Sequence, residues 1–213
     1  MKELFKKIIV ILPVALLTLL YLKDHYREEY RHAGARRLML FALTIFLLYA
    51  WMFTSVMMWK QRTALMMLLQ SSFFVYLFMV LTLTGYFILF REISVHGWWA
   101  NMKLRIRQED HVNLDPFEIF KIYKITDKQV VGNLVMLFPL GIYLPLLYKK
   151  FNNFFIVFLV SLLVSLTIEC LQLATRFRSA DVDDVILNTA GGCIGFLIYR
   201  IGVSHLKPAP APG

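Results

Sequence analysis

Charge is scarce in this chain. Only 17% of its 213 residues are Asp, Glu, Lys or Arg, against roughly 25% in soluble domains. With 59% apolar residues, that scarcity excludes an exterior that meets water throughout, and it equally excludes disorder and a collagen-like chain. Cysteine is scarce too. Cys170 and Cys193 have no CxxC or Cys/His spacing, which excludes a disulfide scaffold and a zinc site; both read as small core residues. Neither a nucleophile elbow, nor a phosphate-binding glycine loop, nor an intramembrane Ser/His pair occurs. No repeat is present.

What the chain has instead is long apolar runs. Five reach the roughly 17 to 25 residues that a helix needs to cross a bilayer, with a shorter sixth at the N-terminus. They are Ile8–Leu22, Leu38–Trp59, Thr63–Phe90, Val130–Tyr148, Phe154–Ala174 and Val185–Val203. The pattern predicts an all-α fold, a polytopic transmembrane bundle of about six spans. The first run follows Lys2, Lys6 and Lys7 but lacks a small-x-small cleavage site, so it is expected to stay as an anchor. Thr63–Phe90 exceeds the bilayer thickness, which predicts tilt or projection into the interface. The connector 91–129 holds Trp98 and Trp99, residues that settle at headgroup depth. Within it, Pro116–Lys124 reads as a short interfacial or re-entrant helix with Ile119, Phe120, Ile122 and Tyr123 on one arc.

The excess of 23 Lys+Arg over 14 Asp+Glu belongs to the flanks of these runs. Anionic headgroups and the orientation bias of loops account for it, and no nucleic-acid partner is expected.

Several polar residues are costly in lipid. Glu169 lies five residues from the end of its run, where a carboxylate needs a partner. At 100° per residue, Ser161, Ser165, Glu169, Gln172 and Arg176 share an arc of about 80°. Asp181, Asp184, Asn188, Gly191 and Gly195 share a similar arc on the next helix. Two readings stand for these stripes: hydrogen bonding between neighbouring helices, or a ligand site. Asp181 suits an N-cap as well as a ligand, and Asp183, off the arc, serves the loop or a second ligand. Gly191 and Gly195 form a small-xxx-small pattern, which signifies tight packing.

Topology brings Asn133, Glu169, Gln172 and Asp181–Asn188 to one membrane side, with Arg176 and Arg178 between the last two runs. Such a pocket suits a phosphate or carboxylate headgroup held by the Arg forks; with a divalent ion it suits phosphoryl transfer. The spacing of the aspartates matches no specific metal loop, and no cofactor is expected. His111, beside Asp110, is either a base or a solvated loop residue.

The stretches Asn113–Phe117 (NLDPF), Gly132–Gly141 (GNLVMLFPLG), Glu169–Gln172 (ECLQ) and Arg178–Asp184 (RSADVDD), followed by Asn188 and Gly191, resemble the VanZ-like family in order and spacing. The resemblance extends from about Phe73 to Ile201. It implies a multi-pass protein of the bacterial cell membrane that lowers susceptibility to teicoplanin-type glycopeptides. The expected mechanism is binding or remodelling of an envelope lipid or precursor, the alternative a membrane enzyme acting on phospholipid or isoprenoid-linked phosphate headgroups. The family's polar positions correspond to Asn113, Pro116, Asn133, Pro139, Glu169, Gln172, Arg178, Asp181, Asp183, Asp184 and Asn188. Together with Arg176, the polar members of this set form the expected ligand site. The expected partners are membrane lipids, with a cell-wall precursor or a glycopeptide as further candidates. Residues 1–62 read as a two-span extension, 63–203 as the VanZ-like domain, and 204–213 as a flexible tail, a linker or an expression scar. Lys60, Arg62, Lys149 and Lys150 sit in tight turns and orient the N-terminus inside and the polar cluster outside.

Overall fold

Lipid offers no hydrogen-bond partner to a bare backbone, so spanning segments must satisfy themselves, and the apolar runs here fold as helices. The computed structural model describes residues 2–25, 35–57, 64–86, 98–107, 112–173 and 179–203. The chain forms two compact units, the first holding the helices before residue 93 and the second Ser94–Pro208.

In the first unit α1 (Lys2–His25) packs on α2 (Ala35–Met57) and α3 (Ala64–Leu83). Its core joins Val14 and Tyr21 of α1, Leu48 and Met52 of α2, and Phe74 and Phe78 of α3. The rings meet edge to face, Tyr21 on Phe78 at 6.2 Å and Trp51 on Phe74 at 5.4 Å between centroids, the arrangement that aromatic quadrupoles favour. The long run from Thr63 does not remain helical through its length. Its helix stops at Leu83, and Gly85 takes a φ of 72°, a left-handed turn in which glycine meets no Cβ penalty.

The second unit runs through α4 (Trp98–Arg107), β1 (Val112–Asn113), α5 (Ile119–Ile122), α6 (Lys128–Met136), α7 (Phe138–Leu147), α8 (Phe154–Leu173), β2 (Ala180–Asp181) and α9 (Val182–Ile198). A π-helical turn, Tyr199–Val203, ends it. The strands are two residues each and pair in parallel, Val112 opposite Ala180 and Asn113 opposite Asp181. They are a staple within an all-α fold. The expected single helix over Val130–Tyr148 is instead broken at Leu137 (φ −99°, ψ 0°). Pro139 is the cause, because it has no N–H to offer the carbonyl one turn back and its ring crowds that turn.

Helix α9 packs against α6, α7 and α8, and glycines let it come close. A Cβ on Gly191 would stand 1.9 Å from the Leu134 carbonyl oxygen, and one on Gly195 2.1 Å from that of Phe138. The spacing of these glycines therefore means backbone-to-backbone packing, as expected.

Burial in α8 runs opposite to that of a helix in water. Ser161, Ser165, Glu169 and Gln172 face inward, whereas Phe155 is 76% exposed and Leu159, Leu163 and Leu166 share its outward side. An apolar exterior over a polar seam is the arrangement that lipid selects. Among the described residues, Leu65–Leu83, Lys128–Leu147, Phe154–Leu173 and Val182–Gly202 are long and apolar enough to cross a bilayer. The apolar stretches described in α1 and α2 are shorter, Ile11–Lys23 and Ala42–Thr54. The protein is an all-α membrane protein, and its six expected runs comprise these four spans and two shorter segments. The cysteines correct an expectation: Cys170 is exposed and Cys193 only half-buried. Cys170 shares the outward side of α8, where a small apolar group meets lipid as readily as core.

Candidate functional site

Asp181 is where the site begins. Its Oδ1 accepts from the Asp183 N–H at 2.9 Å, capping α9, so the N-cap reading holds. Its Oδ2 accepts from Asn113 Nδ2 at 3.4 Å, and its own N–H donates to Glu169 Oε2 at 3.1 Å. One residue thus ties β1, the end of α8 and the start of α9 together. Asn113 also turns its own loop, since its Oδ1 accepts from the Asp115 N–H at 3.0 Å, a side-chain turn typical of asparagine.

Asp183 serves the loop. It is 1% exposed, and its two oxygens accept from the Phe117 N–H at 2.5 Å and the Ile119 N–H at 2.7 Å. A buried carboxylate needs such charge-assisted bonds. Here they also secure Phe117, whose φ of 68° is the only positive value among the described non-glycine residues. Ile119 is thereby set into a small core with Val130 and Leu187. The expected helix over Pro116–Lys124 shrinks to the single turn of α5, with Ile119 buried but Ile122 66% exposed.

Asn133 of α6 donates its amide to Asp184 Oδ1 of α9. Deeper, Asn188 donates to Ser165 Oγ at 3.0 Å, a bond between α8 and α9 that matches the helix-pairing reading of the stripe. Ser161 Oγ, Asn188 Oδ1 and Thr189 Oγ1 are buried without a hydrogen-bond partner among the described residues.

A pocket of about 570 Å³ opens at this end of the unit. Asn113, Gln129, Asn133, Gln172, Ser179, Asp181, Asp184 and Lys128 supply its polar lining, Ile119, Ile122 and Tyr123 its apolar wall, and Gly132 a gap between them. Of the expected set, Asn113, Asn133, Gln172, Asp181 and Asp184 line it. Glu169 and Asp183 brace it from behind, and Asn188 lies below. Arg176, Arg178 and His111 fall outside the described residues. Among those described, no group of three or more His, Cys, Asp or Glu side chains is arranged to hold a metal ion.

Sequence reasoning missed Lys128 and Gln129, because the apolar run was begun at Val130. The signal was available: Gln129 and Asn133 stand four apart, on one helix face. It also missed Arg105 of α4, which is buried and donates from Nη1 to the Leu173 carbonyl at 3.4 Å. A guanidinium there suits the negative end of α8. Nothing in WWANMKLRIR marks one of its two arginines as buried.

Residues 40–203 match the model of the VanZ/LLP1 family. The chain belongs to the VanZ/LLP1 family. A segment of 96 residues is 29% identical to Protein VanZ of Enterococcus faecium, covering 45% of this chain. It spans 56% of that protein's length, a little over half. No solved structure matches the fold. All five pocket-lining residues from the expected set, and the Asp183 and Glu169 braces, lie inside the family match.

Proposed function

We propose that this VanZ/LLP1 member is a multi-pass protein of the bacterial cell membrane that lowers susceptibility to teicoplanin-type glycopeptides. It does so by binding or remodelling an envelope lipid or cell-wall precursor in the pocket, with the N-terminus inside and the pocket outside. The observation that carries this reading is the pocket itself: polar amides and carboxylates beside the exposed side chains of Ile122 and Tyr123, at the end of a helix bundle whose flanks are apolar. A site of that kind suits a molecule with a polar head and a lipid body. The family resemblance and the name of the Enterococcus relative support the link to glycopeptides. Expression in a teicoplanin-susceptible bacterium is expected to raise the inhibitory concentration, and Asn133→Leu to abolish the rise. An equal rise with the variant would remove the pocket from the explanation.

Binding is preferred over phosphoryl chemistry because Glu169, Asp181, Asp183 and Asp184 each accept a hydrogen bond from the fold itself. Carboxylates committed in this way hold loops and helix ends. Purified protein incubated with lipid phosphates, with and without Mg²⁺, separates the two classes. Metal-dependent turnover that is lost in Glu169→Gln would replace the binding reading with an enzymatic one.

A further inference from the structure

The polar lining of the pocket is unusual in its kind of hydrogen-bonding group. Four primary amides, Asn113, Gln129, Asn133 and Gln172, and the ammonium of Lys128 stand with the carboxylates of Asp181 and Asp184, which accept from Asn113 and Asn133 and keep further lone pairs for a ligand. An amide both donates and accepts, and a carboxylate only accepts. A phosphate finds a cation in Lys128 but meets two carboxylates, so the charges of the lining sum against an anion. An ammonium group needs acceptors, leaving the amide donors of the same pocket idle. A hydroxyl donates and accepts, so an array of hydroxyls is the ligand chemistry that engages amides and carboxylates together. Tyr123 adds an aromatic ring at the rim, 37% exposed, next to the apolar side chains of Ile119 and Ile122. A pyranose offers such a ring its apolar C–H face while its edge hydroxyls reach the polar lining.

We propose that the pocket binds a sugar headgroup, carried by a lipid whose chains enter beside Ile122 and Tyr123. This rests on the lipid-binding reading above and names its ligand class. Two features support a ligand that comes from the bilayer. Ile122 in the pocket wall is 66% exposed and Ile125, three residues on, 74%, which is costly in water but not against acyl chains. Lys121 and Lys124 on the same exposed stretch suit the anionic surface that surrounds such a lipid.

Gln129 is the residue to test. It is exposed, lines the pocket and makes no side-chain hydrogen bond within the described residues, so its loss leaves the hydrogen bonds among those residues in place. The full-length protein would be placed in phosphatidylcholine nanodiscs doped with equal amounts of glucosyl-diacylglycerol, phosphatidylglycerol and phosphatidylethanolamine. Native mass spectrometry then reads which lipid stays bound. The expected result is preferential retention of the glucosyl lipid, reduced about tenfold by Gln129→Leu, the size of one lost hydrogen bond. Preference for phosphatidylglycerol or for phosphatidylethanolamine, or no preference, overturns the proposal. Methyl glucoside added at the same concentration distinguishes sources: retention of the lipid alone assigns the sugar to a bilayer lipid. Retention of the free glycoside as well assigns the site to soluble carbohydrate and overturns the lipid part. Sugar-lipid retention without any change in teicoplanin susceptibility would remove the resistance reading and leave this inference standing. A susceptibility change lost in Gln129→Leu without sugar selectivity would do the reverse.

Discussion

Asp183 holds Phe117: the carboxylate accepts the N–H of a residue whose backbone is left-handed, at 2.5 Å, and takes the Ile119 N–H with its other oxygen. An asparagine in this position keeps one acceptor and turns an NH₂ group toward the second N–H. Asp183→Asn should therefore lower stability by about 2 kcal/mol, the cost of a buried donor left unpaired. Unfolding in mixed detergent measures it, and proteolysis near Phe117 should quicken in parallel. An unchanged midpoint would mean that the loop does not depend on this carboxylate.

The glycine contacts give a prediction with its own control. Gly191→Ala places a Cβ against the Leu134 carbonyl, a backbone atom that cannot swing aside, and should cost about 3 kcal/mol. Gly132→Ala meets nothing within 4 Å and should gain up to about 1 kcal/mol from the better helix former. Equal effects at the two positions would contradict the close packing of α9.

Ser161 is fully buried and its hydroxyl has no hydrogen-bond partner among the described residues. Removing an unsatisfied polar atom costs nothing in hydrogen bonds, so Ser161→Ala should leave the protein equally stable or raise its stability by about 1 kcal/mol. A clear loss of stability would point to a bound water at that hydroxyl.

Sidedness is tested with single cysteines on a background lacking Cys170 and Cys193. Ser179 and Asn152 lie beyond opposite ends of α8, whose 20 residues span about 30 Å. Ser179→Cys should react with an impermeant thiol reagent on intact cells, and Asn152→Cys should not. Labelling at Asn152 alone would turn the pocket to the cytoplasm and away from an external antibiotic.

The spans, the packing role of Gly191 and Gly195 and the cap at Asp181 could all be read from the sequence, because each depends on spacing within one element. The break at Leu137 depended on how much Pro139 would disturb a helix that tolerates Pro145 inside α7. Other features depended on contacts between distant residues. Asn113 meets Asp181, and Phe117 meets Asp183, 66 positions away. The polar set was recognisable as a cluster, but which members face the pocket and which brace it is fixed by those long-range bonds. Three amides of the lining, Asn113, Asn133 and Gln172, belong to the expected set; the fourth, Gln129, lies outside the apolar run and joins α6 because that helix begins at Lys128, two residues before the run.

The glycine seam also restricts motion. Where α9 touches α6 and α7 backbone to backbone, there are few side chains to change rotamer, and sliding would drive carbonyls into α-carbons. These helices form one chassis. The opposite wall, Ile119–Tyr123, is held by Asp183 through the N–H of Ile119 and that of Phe117 just before it, and its Ile122 and Tyr123 are exposed. Any breathing that admits a guest must therefore be borne by that short turn, and the helices remain a fixed gauge for what fits.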